Sequence, residues 1–229
     1  MVKKCMCIGT FIAFFCFGQS VWQETTQGDF ADGIFERNIY ASHRGGGAVE
    51  FAPRFDLNND GYIDIVTCDI GGPYVRLLWG SATGYSAGNS TVFPSTGAGD
   101  CDIADLDQDG YADLIVSHAN YDSRIAVYWG SGTGPSPANV FNIFNAQDVP
   151  NEVVYAADLN KDGYLDIITG TYNSMYVGAI FWGTAYGYSS DIRTNLPTQY
   201  GAHNAEVADL NEDGWLDIIF VNDWGTHNW

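Results

Sequence analysis

One string recurs four times in this chain. It reads Asp56-Leu57-Asn58-Asn59-Asp60-Gly61-Tyr62-Ile63-Asp64-Ile65-Val66 in its first copy, and returns with small changes from Asp105 to Ile115, from Asp158 to Ile168 and from Asp209 to Ile219. The first aspartates of successive copies are 49, 53 and 51 residues apart. A period near fifty, carried by strand-like sequence, defines a repeat architecture before any other property of the chain is considered.

Counted from its first Asp, each copy carries Asp or Asn at positions 1, 3, 5 and 9, Leu at position 2 and Gly at position 6. Ca²⁺ takes six to eight oxygen ligands at about 2.3–2.6 Å, and alternate side chains of a curled loop can supply four of them. The candidate side-chain ligands are Asp56, Asn58, Asp60 and Asp64 in the first copy, and Asp105, Asp107, Asp109 and Asp113 in the second. In the third they are Asp158, Asn160, Asp162 and Asp166, and in the fourth Asp209, Asn211, Asp213 and Asp217. The main-chain carbonyl at position 7 (Tyr62, Tyr111, Tyr164, Trp215) offers a further oxygen. Gly at position 6 lets the loop turn at positive φ, and the Leu at position 2 is expected to point inward.

An EF-hand loop begins the same way but needs Glu at position 12 and flanking helices. Position 12 here is Thr67, Val116, Thr169 and Phe220, and the residues leaving each loop favour strands. The reading is a Ca²⁺ loop between two strands, with up to four structural ions. An Asp-rich hairpin without metal is the alternative.

The charge agrees with that reading. The chain has 28 acidic and 9 basic residues, a net charge of −19, and thirteen of the acids lie in the four ligand sets. Such a balance argues against nucleic acid or an anionic membrane as partner. At the N-terminus, Lys3 and Lys4 precede an apolar run from Cys5 to Phe17, with the small residues Gly18 and Ser20 behind it. Met1 to about Ser20 therefore reads as a secretory signal, an uncleaved anchor being the alternative. The mature chain is expected to be secreted, with extracellular, cell-surface and periplasmic destinations open, and without a stable membrane span. Cys5, Cys7 and Cys16 leave with the signal. Cys68 and Cys101 remain, in neighbouring repeats, and whether they pair stays open.

Residues 21–40 read as a leader, and residues 41–229 follow one plan. A short strand enters each loop (Val49–Ala52, Cys101–Ala104, Val153–Ala156, Ala205–Ala208) and a second leaves it (Ile63–Thr67, Leu165–Thr169). A third ends in Trp-Gly (Val75–Gly80, Ile125–Gly130, Ile180–Gly183), and a fourth, more polar strand closes the unit (Ser90–Phe93, Asn139–Phe144, Asp191–Leu196). Four short strands per repeat predict an all-β protein, a β-propeller of four-stranded blades. The blades span about 41–96, 97–145, 146–199 and, in part, 200–229. Trp79, Trp129 and Trp182 follow the first Asp of their loops by 23, 24 and 24 residues and read as aromatics packed between blades. The same count carries the fourth Trp-Gly past Trp229, which predicts a truncated last blade and a fragment of a larger, for instance seven-bladed, propeller completed by the rest of a longer chain.

The Asp-x-Asn/Asp-x-Asp-Gly-Tyr-x-Asp-Ile/Leu signature resembles the FG-GAP/VCBS repeats, which form propeller blades in integrin α-subunit heads and in many bacterial secreted proteins. The Trp-Gly endings and Leu196-Pro197-Thr198 with Gly201-Ala202 resemble the bacterial FG-GAP-like proteins in particular. The resemblance covers about residues 41–229. It implies metal ligands at positions 1, 3, 5, 7 and 9, with Asn58, Asn160 and Asn211 as lower-charge departures. It also implies an extracellular binding or adhesion module, with an extracellular protein or glycan as partner. Members of the family also serve as lectins and as accessory or catalytic parts of polysaccharide-degrading enzymes, so those readings stay open.

No catalytic constellation stands out. There is no His-Glu-x-x-His, Gly-x-Ser-x-Gly, Cys-x-x-Cys or phosphate loop, and Gly130-Ser131-Gly132-Thr133-Gly134 runs into Pro135 as a turn would. His43, His118, His203 and His227 read as surface or turn residues, and the chain as a non-enzyme. If it binds sugar, Tyr121, Tyr172, Trp224 and Trp229 are the candidate stacking aromatics.

Overall fold

The computed structural model describes residues 2–4, 12–16, 19–23, 41–43, 49–51, 55–68, 72–119, 123–144, 151–171, 178–196 and 202–222. Every regular element among them is a β-strand, and none of the described residues forms a helix long and apolar enough to cross a membrane. Strands β1 (Val2–Lys4), β2 (Ile12–Cys16) and β3 (Gln19–Gln23) make an antiparallel meander that covers the segment read as a secretory signal and enters the one read as a leader. Strands β4 (Ala41–His43) and β5 (Val49–Phe51) pair with each other.

The repeats follow as sheets. The first contains β6 (Ile65–Thr67), β7 (Tyr74–Leu78) and β8 (Ser90–Pro94). The second contains β9 (Ala98–Ala104), β10 (Asp113–His118), β11 (Arg124–Tyr128) and β12 (Val140–Phe144). The third contains β13 (Asn151–Ala157), β14 (Asp166–Thr171), β15 (Ala179–Phe181) and β16 (Arg193–Asn195). The fourth is the pair β17 (Ala202–Ala208) and β18 (Asp217–Asn222). Within each sheet the strands pair antiparallel in sequence order. These are the four-stranded blades the repeat predicts, complete in the second and third units.

The first unit differs. Its expected entry strand, β5, pairs with β4, and its sheet has three strands. Pro53 stands where later units carry Asp102, Tyr155 and Glu206, and proline has no amide to give to a ladder.

The cores lie between sheets, not within them. In the second blade successive residues of β10 turn to opposite sides: Leu114 and Val116 pack against Phe55, Leu77 and Phe93 of the first blade. Ile115 packs with Val154, Ile167 and Phe181 of the third. Strand β11 splits the same way, with Ala126 and Tyr128 to one side and Ile125 and Val127 to the other. A strand buried on both faces has no solvent side to carry polar residues in alternation; Asp113–His118 and Asp166–Thr171 are buried throughout, with apolar runs at Leu114–Val116 and Ile167–Ile168 and no alternation in sequence.

Trp79 and Trp129 pack against these inter-blade clusters; the Trp79 ring lies against Gly134 of the next blade. Three expectations are corrected. His118 is no surface residue: it is fully buried in β10, and its ring nitrogens meet the Arg124 carbonyl at 3.1 Å and the Arg124 guanidinium at 3.0 Å. The inward Leu holds for Leu57 and Leu106, but Leu210 is 64 % exposed, because among the described residues the fourth unit is a two-stranded hairpin with no following unit packed on it. In the first three units the third strand ends before its Trp-Gly pair, which forms the corner that follows. Tyr121, Tyr172, Trp224, Trp229 and His227 lie outside the described residues, as do the side chains of His43 and His203.

Candidate metal centre

Each repeated loop joins the first strand of its unit to the second, and the loops share one geometry. The carboxylate at position 1 accepts two main-chain N–H groups, those of positions 5 and 6: Asp60 and Gly61 donate to Asp56 at 3.0 and 2.9 Å. Asp109 and Gly110 donate to Asp105 at 3.1 and 3.0 Å, and the same pair of bonds closes on Asp158 and Asp209. The position-5 carboxylate accepts the position-7 amide in all four copies, at 2.8–2.9 Å. The turn these bonds enforce passes Gly61, Gly110, Gly163 and Gly214 at φ between 89 and 92°, where a Cβ would be strained. The residue at position 4 is also left-handed, although it is Asn59, Gln108, Lys161 or Glu212. Three carboxylate-held amides per loop, those of positions 5, 6 and 7, stabilise a backbone that these side chains would otherwise resist.

Position 3 separates the copies. In the first, third and fourth loops the Asn side-chain amide donates to the position-5 carboxylate, at 2.9 Å for Asn58, 3.0 Å for Asn160 and 3.0 Å for Asn211. That N–H places a partial positive charge where a cation would otherwise serve. The second loop has Asp107 there, and the carboxylate oxygens of Asp105, Asp107 and Asp109 lie within 4.8 Å of one another. Burial first, then the Asp109 and Asp105 charges, push the Asp107 carboxyl above its usual range, against the lowering effect of the Asp109 amide. These three residues can hold a metal ion, and the hard, purely oxygen donor set suits a cation such as Ca²⁺ or Mg²⁺.

Position 9 has an additional role. Both oxygens of Asp64 accept amides, from Leu57 and Gly80 at 2.8 Å each. Asp113 does the same with Leu106 and Gly130, at 2.8 and 2.7 Å, and Asp166 with Leu159 and Gly183, at 2.9 Å each. Asp217 accepts from Leu210 at 3.0 Å. This residue ties its loop to the corner after the third strand, whatever else its remaining lone pairs bind. Burial raises the carboxyls of Asp64 and Asp113 to about 7, although their two amide donors pull the other way.

The same corner explains the Trp-Gly signature. A Cβ on Gly80, Gly130 or Gly183 would run into the position-8 carbonyl of its own loop, that of Ile63, Ala112 or Leu165. In two units a tyrosine closes the clamp: Tyr85 donates to the Ile63 carbonyl at 2.8 Å and Tyr188 to the Leu165 carbonyl at 2.6 Å. The second unit has Pro135 in that place.

The loops also touch one another, which their spacing alone did not reveal. Position 4 of one reaches positions 6 and 7 of the next: Gln108 donates to the Gly163 carbonyl, and the Lys161 ammonium sits 4.1 Å from the centre of the Trp215 ring. The signal was a long polar residue at position 4 followed one repeat later by an aromatic.

Stacked four-stranded sheets, each entered through an acidic loop, define a β-repeat protein of the propeller type. A family model described as an FG-GAP-like repeat matches residues 56–116, 105–169 and 158–220, and the chain belongs to that family. Each match runs from one acidic loop to just past the next. No curated protein matches the chain.

Proposed function

We propose that the protein is a secreted, Ca²⁺-stabilised binding module whose loop-bearing faces engage an extracellular protein or glycan, and that it is not itself an enzyme. The observation that carries the reading is the convergence of Asp105, Asp107 and Asp109 in a loop that the chain builds four times. Ca²⁺ would be held by the position-1, -3 and -5 side chains, the position-7 carbonyl and the position-9 carboxylate. It would neutralise clustered carboxylates and so stabilise the fold. The second loop, with three clustered acids, would bind tightest. The others would need Asn58, Asn160 and Asn211 to turn their oxygens inward and release the position-5 carboxylate.

Extracellular sites commonly have dissociation constants of about 10⁻⁴–10⁻³ M. At ~2 mM Ca²⁺ and a constant of ~10⁻⁴ M, each occupied site adds about 1.8 kcal/mol, and four such sites would rival the stability of a typical domain. The test is thermal unfolding of the full chain in millimolar Ca²⁺ and in excess chelator, with calorimetric titration of the ion. A Tm well above the chelated value, with saturable binding, supports the reading. An unchanged Tm and no binding heat refute it. Partner screens against glycans and extracellular proteins belong in Ca²⁺, and turnover of a polysaccharide panel would overturn the non-enzymatic assignment.

A further inference from the structure

We propose that Cys68 and Cys101 form a disulfide that straps the first blade to the second. Cys68 directly follows β6 in the first blade, and Cys101 stands in β9 of the second, opposite Val116 of β10. Both are part-buried free thiols, both pack against the apolar cluster shared by the two sheets, and the two thiols are near enough for Cys68 to raise the Cys101 thiol. The contact is tertiary, between residues 33 positions apart in the chain.

The repeat makes this seam narrow. Counted from the first Asp of its loop, the place of Cys68 is taken by Ser117 in the second blade and by Gly170 in the third. At Gly170 even a Cβ would come within 2.8 Å of the Ala202 Cβ of the following unit. A disulfide needs its Cα atoms within about 4.4–6.8 Å. The shared packing of Cys68 and Cys101 on one apolar cluster, from opposite blades, places the pair at such a seam.

The oxidant is a low-molecular-weight disulfide. The Cys68 thiolate attacks one of its sulfurs, forms a mixed disulfide and expels a thiolate. Cys101 then loses its proton, attacks the Cys68 sulfur and expels the second thiolate. The two protein thiols lose two protons and two electrons, and the oxidant is reduced to two thiols. The order follows from the surroundings. The neighbouring Cys68 thiol, burial and the nearby Asp100 and Asp102 charges hold the Cys101 thiol well above its usual range, so it resolves the mixed disulfide instead of starting the exchange.

The test uses the full chain, reduced and then exposed to oxidised glutathione, so it does not depend on the compartment in which the protein resides. Free thiols are blocked with iodoacetamide and the protein is digested with trypsin without reduction. Cleavage after Arg54, Arg76 and Arg124 puts the two cysteines on separate peptides, 55–76 and 77–124. The expected result is the two peptides joined, at their summed mass less two hydrogens, and separated again by reductant. Closing a loop of this length should also raise the wild-type Tm by roughly 5 °C or more on oxidation, a rise that Cys68→Ser loses. Recovery of both peptides singly, each carrying the alkyl label or a glutathione adduct, overturns the proposal. So does a cross-link from either cysteine to Cys5, Cys7 or Cys16. The peptide readout needs only the wild-type protein and stands even if the serine variant fails to fold.

Discussion

Replacing Asp102 with alanine should loosen the seam between the second and third blades. Asp102 is 3 % exposed; one carboxylate oxygen accepts the amide of Ile103 in its own strand at 2.8 Å, and the other accepts the amide of Ala156 in the next blade, also at 2.8 Å. Ile103 and Ala156 are themselves buried, so truncation strands two amides away from water. Each such loss costs about 1–3 kcal/mol, more when the lost acceptor is charged. Relief of the carboxylate's own desolvation returns part of that, leaving a net destabilisation of about 2–4 kcal/mol. In a chain of this size about 1 kcal/mol corresponds to roughly 2–4 °C, so Tm should fall by about 5–12 °C. Asp100→Ala, which removes a 2.8 Å bond from the Cys101 amide and a longer one of 3.2 Å from the Val154 amide at a less buried carboxylate, should cost less than Asp102→Ala. Urea unfolding in saturating Ca²⁺ and again in chelator reads both effects, and hydrogen exchange of the Ala156 amide locates them. The Asp102 penalty should be the same in both buffers, because the residue lies outside the loops. A penalty below about 0.5 kcal/mol, within the range of an ordinary surface substitution, would falsify the seam argument. A penalty that disappears in chelator would show the carboxylate acting through a metal.

Three further outcomes separate the roles within the loops. Asp107→Asn should weaken the tightest cation site by roughly tenfold in calorimetric titration, since ligand charge sets such affinities, yet leave Tm in chelator unchanged or higher, because it removes the carboxylate crowded by Asp105 and Asp109. Asp113→Ala should destabilise by about 2–4 kcal/mol with or without metal, measured by urea unfolding, because the Leu106 and Gly130 amides both lose their acceptor; a loss seen only in Ca²⁺ would make Asp113 a ligand and nothing more. Gly130→Ala should cost at least about 2 kcal/mol in the same assay, as its Cβ meets the Ala112 carbonyl with no flexible side chain to yield; wild-type stability would mean that the corner can open.

The repeat, the strand order and the acidic loops could be read from the chain because a fifty-residue period repeats its errors as well as its signals. Four copies make a Gly at position 6 or a Leu at position 2 hard to mistake. The first strand of the first unit lies where the sequence places it, at Val49–Phe51, but its pairing with β4 was not legible, because Pro53 looks like any loop residue until an amide is wanted for the ladder. His118 was misread because histidine carries no sign of burial in sequence; the neutral ring is accommodated by Arg124, six residues on. The second task of the position-9 aspartates was hidden for a different reason. An Asp that accepts two amides and an Asp that binds calcium occupy the same place in the same pattern, and only the distances to Leu106 and Gly130, or to their counterparts, tell them apart. The contacts between loops were illegible because they join residues more than fifty positions apart.

Those contacts bear on how such a protein can be cut and rejoined. Gln108 is matched to Gly163 and Lys161 to Trp215, so what a repeat hands to its neighbour is fixed by the pair and not by either repeat alone. A chimera joined between positions 4 and 6 of a loop keeps the left half of one handshake and the right half of another. A junction in the polar outer strand, at β12 or β16, parts only the one handshake that spans it and leaves the other with its original partners. Gene duplication that copies a segment from one outer strand to the next would therefore extend the array while asking only the two loops at its ends to accept new neighbours.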